Sequence, residues 1–206
     1  MKLIYISFFV LAGIFSSQAQ VGFGLTSSYD LYQYYDNPTD DTGESTSAGS
    51  ALMNFGLGPK IWFGGNNFSF SVEAQASLGL FGLSVGDYKG LGAMSIPMMA
   101  KLNFGGLSTM DKEGKFGWSF GAGLQYTKTE LYYLKDSFEE IGGNRDWFKT
   151  YVGQIGYGFG MSGFAVAGYL RVGYLSETEA FTGNFGIQLD FNLNKLKEID
   201  DPASRL

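Results

Sequence analysis

Five charged residues stand where charge is costly. Lys60, Glu73, Lys101, Arg171 and Asp190 each sit inside a run of alternating residues, on the side opposite the large apolar side chains. A carboxylate held near an ammonium in a low-dielectric interior has two uses. It can neutralise a polar core, or it can act as a gate or proton relay. A paired carboxylate makes a poor general base, so the core-neutralising use is the simpler reading. The chain has no histidine and no cysteine. That removes the commonest general base, the commonest metal ligand, thiol nucleophiles, disulfides and a lipid-modified N-terminal cysteine. Ser69, Ser71 and Ser77 face the same interior but have no imidazole to activate them. A carboxylate-only mechanism is all that would remain for Glu73 or Asp190. The expectation is a protein that is not an enzyme, with no cofactor and no metal centre.

Two further motifs point away from ligand chemistry. "DNPTDDTGES", residues 36–45, gathers Asp36, Asp40, Asp41 and Glu44 without the spacing of an EF-hand loop. A solvated acidic loop is favoured over a calcium site. The glycine-rich stretches follow strand periodicity and open no helix, so they are not phosphate loops. Acidic loops also speak against nucleic acid, which requires a basic face.

The elements that must hold these charges are strands. In "FSFSVEAQASLGLFG", residues 68–82, apolar residues from Phe68 to Leu80 alternate with Ser69, Ser71, Glu73, Gln75, Ser77 and Gly79. A period of two means an extended strand with two unlike faces. Similar runs occupy 21–35, 51–64, 93–104, from about Lys115, about 147–160, 164–175 and 182–193. That makes eight strands in a chain of 206 residues, a size suited to one all-β domain. Long and medium connections at 36–50, 83–92 and 135–146, and a short one at 176–181, lie at one end. Tight turns at 65–67 and 161–163 lie at the other, where 105–114 is longer than the pattern needs. The expected fold is an eight-stranded antiparallel up-and-down β-barrel.

Which face is inside decides between water and membrane. A soluble barrel would put charge on its outer face. Here the non-apolar face is mostly glycine, serine, asparagine and glutamine, and most acidic residues fall in loops. Glycine weakens a solvent-facing strand, but inside a narrow eight-stranded barrel it makes room. The apolar faces avoid charge for about ten residues, the length a tilted strand needs to cross a bilayer. Phe63, Phe68, Phe104, Phe116, Trp118, Phe159, Phe164 and Phe191 collect toward the tight-turn end. Tyr29, Tyr35, Tyr126, Trp147, Tyr151 and Tyr174 collect toward the long-loop end. Two such girdles suit two membrane interfaces. The transmembrane barrel is therefore preferred to a soluble barrel whose rings form the core.

With this strand rhythm and the closing segment "FGIQLDFNLN", the chain resembles the small eight-stranded outer-membrane barrels of the OmpX and OmpA transmembrane type and the PorT-like barrels of Bacteroidota. The resemblance implies a bacterial outer-membrane location and a structural or accessory role. The family usually ends near an aromatic residue, whereas this chain continues through "NKLKEIDDPASRL".

The domain reading follows. Residues 1–19, with Lys2, an apolar stretch and Ser17-Gln18-Ala19, read as a signal peptide. A membrane anchor is the alternative, but the stretch is short for a spanning helix. Residues 20–193 form the barrel and 194–206 a periplasmic tail. An Asn66-Asn67 turn would place Lys60 opposite Glu73 as an interior ion pair. Arg171 and Asp190, on neighbouring strands, are a candidate second pair, and Trp62, Phe81, Met99, Phe148 and Tyr169 are expected to fill the lumen. The strand from Lys115 runs on through Lys128 and Glu130, both on the outward face, to Leu131, Tyr132 and Tyr133. With the strand at 147–160 it would form either a ribbon above the membrane, offering those three residues for extracellular contact, or an ordinary long loop. Expected partners are outer-membrane lipid and other outer-membrane or periplasmic proteins. The functional reading is a non-enzymatic scaffold or accessory subunit of an envelope complex of the secretion or barrel-assembly type. The alternative is a narrow pore or lateral conduit for small apolar solutes, similar to OmpW.

Overall fold

The computed structural model describes residues 20–39, 48–85, 90–110, 115–133 and 146–195. The proposed leader at 1–19, residues 40–47 of the acidic loop and the tail from 196 lie outside the described residues. The strands are β1 (Gln20–Asp36), β2 (Ala48–Gly65), β3 (Phe68–Ala74), β4 (Ala76–Val85), β5 (Gly90–Phe104), β6 (Lys115–Tyr133), β7 (Phe148–Met161), β8 (Phe164–Leu175) and β9 (Ala180–Asn192). Every pairing is antiparallel, and β1 pairs with both β2 and β9, which closes the ring.

The eight staves of the sequence reading become nine segments because one stave is interrupted at Gln75. The register does not slip there: Lys60 faces Glu73 on one side of the break and Leu57 faces Ala76 on the other. The cause is proline on both flanks. The Gln75 N–H donates to the Pro97 carbonyl at 3.0 Å, but Pro97 has no N–H to return. On the other flank Pro59 precedes Lys60 and likewise cannot donate. Strands β3 and β4 therefore form one stave of an eight-stave barrel.

The wall is apolar outside and polar inside. Phe23, Phe55, Val72, Phe116, Leu170 and Phe185 are each about half exposed or more. Lys60, Glu73, Lys101, Arg171, Gln125 and Gln188 are buried. This inversion has a physical reason. A barrel closed on itself leaves no unpaired strand edges, so the wall satisfies its backbone groups within the ladder rather than with water, the proline positions at Pro59 and Pro97 excepted. Its exterior can then meet lipid, and its narrow interior must take whatever polar groups remain. Aromatic rings crowd the short-turn end of the wall. Phe63 packs on Phe70 at 5.1 Å, Phe68 on Phe104 at 5.2 Å and Trp118 on Tyr157 at 4.6 Å between centroids.

Toward the long-loop end the simple alternation fails. An extra residue, Leu31, shifts β1 against β9 between Asp30 and Tyr32. Leu31 and Tyr32 then both point outward, as do Leu52 with Met53 and Leu80 with Phe81. Such bulges turn every later side chain to the opposite face. Two expectations are corrected by them. Phe81 is not in the lumen but 65% exposed, and Tyr35 does not join the outer girdle but is fully buried.

Among the described residues strand β6 pairs with β7 as far as Thr127 and Phe148, and its continuation to Tyr133 pairs with β5, where Leu91 faces Tyr132; the rest of the expected ribbon, 134–145, lies outside the described residues. A register shift between Leu91 and Ala93 accompanies positive φ at Gly92 (82°) and Glu130 (54°). It turns Glu130 inward, where it is buried, while Lys128 keeps its outward position. Leu131 is half-buried and Tyr132 is exposed. Tyr133 closes the strand, and its side chain lies outside the described residues.

Candidate functional site: the lumen

Three polar or apolar layers fill the barrel. The middle layer contains the sequence-predicted charges. Lys60 faces Glu73 in the ladder, as the Asn66-Asn67 turn requires, and their charged atoms lie 3.6 Å apart. Shorter contacts run elsewhere. Lys60 Nζ reaches Asp190 Oδ2 at 2.6 Å, and Lys101 Nζ reaches Glu73 Oε1 at 2.5 Å. Lys60 and Asp190 are on β2 and β9, with β1 between them. There β1 presents Gly24 opposite Lys60 and the small Thr26 opposite Asp190, which leaves room for the lysine to reach across. Gln188 joins the two pairs. Its Oε1 accepts from Lys101 Nζ at 2.7 Å, and its Nε2 donates to Asp190 Oδ1 at 2.8 Å and lies 3.2 Å from Glu73 Oε2. Four buried charges on β2, β3, β5 and β9 thus compensate one another.

Arg171 does not pair with Asp190. In the ladder Arg171 faces Asn184, whereas Asp190 faces Ala165. Six residues along the strand separate the two sites, and Lys60 already holds the carboxylate. Arg171 instead donates from Nε to Gln154 Oε1 at 2.9 Å and from Nη1 to Gln125 Oε1 at 3.3 Å. Its guanidinium carbon lies 5.1 Å from the Tyr169 ring centroid. Among the described residues it forms no ion pair. Tyr169 hydroxyl in turn donates to Asp30, whose other oxygen accepts from Asn184 Nδ2 at 2.7 Å. Asp30 is buried and was missed as a lumen residue. The signal was present, because Tyr29 faces outward and its neighbour must then face in.

Nearer the long-loop end the lumen is lined mainly by hydrogen-bonded amides and hydroxyls, with buried Glu130 among them. Asn54 donates to Gln33, Thr129 to Asn37 at 2.6 Å, and Thr150 and Thr182 share a bond of 3.2 Å. Inward Met99 and Phe148 are buried here and in the middle layer, as expected.

At the other end the connection between β5 and β6 folds into the barrel mouth. Residues Gly105–Leu107 form a short 3-10 turn, and Leu107 and Met110 pack against Trp62 and Ala165. The segment is tied on several sides. Ser108 Oγ donates to the Asn66 carbonyl at 2.7 Å, Gly163 N–H to the Met110 carbonyl at 2.7 Å, and Asn192 Nδ2 to the Thr109 carbonyl at 3.0 Å. Trp62 lies across Gly22, where any Cβ would fall inside the indole ring. This plug was not predicted. Its trace in the sequence was the excess length of 105–114, with Leu107 and Met110 in an otherwise polar turn.

What this arrangement can do chemically is limited. Among the described residues no group of acidic side chains is placed to hold a metal ion. Asp36, of the acidic loop, accepts from Tyr34 hydroxyl at 2.8 Å, while Asp40, Asp41 and Glu44 lie outside the described residues. Glu73 is held by Lys101 and Lys60, and Asp190 by Lys60 and the Gln188 amide, while Ser71, two residues from Glu73, accepts from Asn103 Nδ2 at 2.9 Å.

No family model matches the chain, and no curated protein matches it. Several solved barrels are similar in fold. The crystal structure of Neisserial surface protein A is similar at 12% identity, with a TM-score of 0.48 over 86% of this chain and 100% of that one. The outer membrane protein OprG from Pseudomonas aeruginosa shares 12% identity, with a TM-score of 0.43 over 84% of this chain and 95% of that one. Ail, the attachment invasion locus protein of Yersinia pestis, shares 11% identity, with a TM-score of 0.44 over 84% and 98%. The chain is an eight-stave antiparallel β-barrel of transmembrane type on the evidence of its own closed ring and apolar wall.

Proposed function

We propose that this barrel is a non-enzymatic scaffold or accessory subunit of an envelope complex, working through its surfaces rather than its lumen. The filled lumen carries this reading. A plug built from Leu107 and Met110 caps one mouth, and the charge cluster around Gln188 occupies the middle. A conducting pore needs a continuous wet path, which these two layers oppose. The remaining working surfaces are the loops, the tail and the lipid-facing wall. That wall carries a shallow, open apolar hollow lined by Phe104, Trp118, Phe120 and Ile155. The hollow is also what a lateral conduit for apolar solutes would use, so transport along the wall is the second reading.

In this proposal residues 1–19 are removed as a leader, both ends of the mature chain lie in the periplasm, and the long loops face outward. The source is a Bacteroidota-type envelope with a secretion or barrel-assembly machine. Affinity purification in mild detergent is the test. Stoichiometric co-purification of another envelope protein supports the scaffold, and a chain that travels alone and gives steady single-channel openings in a planar bilayer overturns it.

A further inference from the structure

The apolar belt is not level around the barrel. On β1, β2 and β4 it continues upward through Leu31, Tyr32, Leu52, Met53, Leu80 and Phe81, all outward and at least 40% exposed. Strands β6 and β7 stand across the ring from β1 and β2. Measured along the strands from the short-turn end, they carry Lys128 and Lys149 at that same height. Both lysines are on the outward face and half-buried. Tyr126 faces Lys149 in the ladder, and Lys128 stands two residues further along β6. The two are therefore diagonal neighbours, within reach of one small anion.

Aromatic groups frame the pair. Lys149 Nζ lies 5.0 Å from the centroid of the Tyr151 ring. Tyr126, Tyr151 and Trp147 are all exposed on the same side, as interfacial aromatics are at headgroup level. Neither lysine forms an ion pair among the described residues. Two cations at the upper border of a lipid-facing wall have one complementary neighbour in a membrane, the phosphate of a lipid headgroup.

We propose that Lys128 and Lys149 together bind the phosphate of an anionic lipid headgroup in the leaflet at the long-loop end, with its acyl chains against Tyr126 and Tyr151. The opposite wall offers no such contact, because its belt is apolar at that height. The site rests on the membrane-spanning reading and not on the scaffold role.

Native mass spectrometry of the full mature chain, released from nanodiscs of mixed phosphatidylglycerol and phosphatidylcholine, tests it. The wild-type barrel is expected to retain phosphatidylglycerol in preference to phosphatidylcholine by about fivefold or more, the share expected of a lysine at a membrane surface. K128Q/K149Q should bring the ratio close to parity, each single variant should lose part of it, and K128R/K149R should keep it. K115Q removes an exposed lysine at the short-turn end and should leave the ratio unchanged. Three results overturn the site: no preference in the wild type, a preference that survives in the folded double variant, or an equal loss in K115Q. Loss of the preference on adding inorganic phosphate, beyond that caused by chloride at equal ionic strength, also overturns it by pointing to a free-anion site. A chain that does not enter bilayers overturns the membrane reading and this site together. A barrel that enters without the preference overturns the site alone.

Discussion

Lys60 on β2 and Asp190 on β9 form an ion pair of 2.6 Å across the strand between them, whereas Glu73, directly opposite Lys60 in the ladder, lies 3.6 Å away and belongs more closely to Lys101. In an open sheet the ladder partner would be the natural ion partner. In a narrow closed barrel the lumen is only a side chain or two wide, and long ammonium side chains reach strands that are not their neighbours.

The two carboxylates should therefore couple to different lysines. Glu73→Ala should destabilise the barrel by about 3–5 kcal/mol, because it leaves buried ammonium without its partner. Pairing it with Lys101→Met should recover more of that loss than pairing it with Lys60→Met, since Lys60 keeps Asp190. Urea unfolding in lipid vesicles measures both double-mutant cycles. Equal recovery by the two lysines would show that the closer contact is not the stronger one.

The plug should matter for stability more than its length suggests. Met110→Ala removes a fully buried side chain and should cost about 2–5 kcal/mol. Replacing exposed Met161, at 37% exposure, by alanine should cost much less. The same unfolding assay compares them.

Gly22 should tolerate no side chain. Gly22→Ala places a methyl group where the Trp62 ring lies, and overpacking of that kind costs about 1–3 kcal/mol. The indole must shift, so the tryptophan emission should change along with the unfolding midpoint. A change in neither would mean that Trp62 sits elsewhere.

Phe81 should behave as a lipid-facing residue. The chain has no cysteine, so Phe81→Cys provides a single labelling site. A fluorophore there should be quenched by brominated lipid, while one at Met99, buried in the lumen, should not. The opposite result would restore Phe81 to the interior.

Alternation alone was enough to place Lys60, Glu73, Lys101, Arg171 and Asp190 in the lumen, and Asn66-Asn67 was enough to set Lys60 against Glu73. These are local facts. A strand's period assigns each residue to a face, and a tight turn fixes the register beside it. Alternation misassigns faces where the period reverses, as at Leu31 on β1, at Leu80 and Phe81 on β4 and at Glu130 on β6. Nothing in residue type marks an irregularity at any of these positions, and Tyr35, Phe81 and Glu130 lie on the opposite face as a consequence.

The sequence by itself determined the eight-stave architecture, the inside-out polarity and the absence of histidine or thiol chemistry, because each of these follows from composition and a period of two. Only the tertiary structure decided that Lys60 takes Asp190, that Arg171 takes glutamines, and that the connection at 105–110 turns inward to meet Trp62. Those choices depend on which side chains meet across a closed ring, and residues far apart in the chain become neighbours only when β1 joins β9.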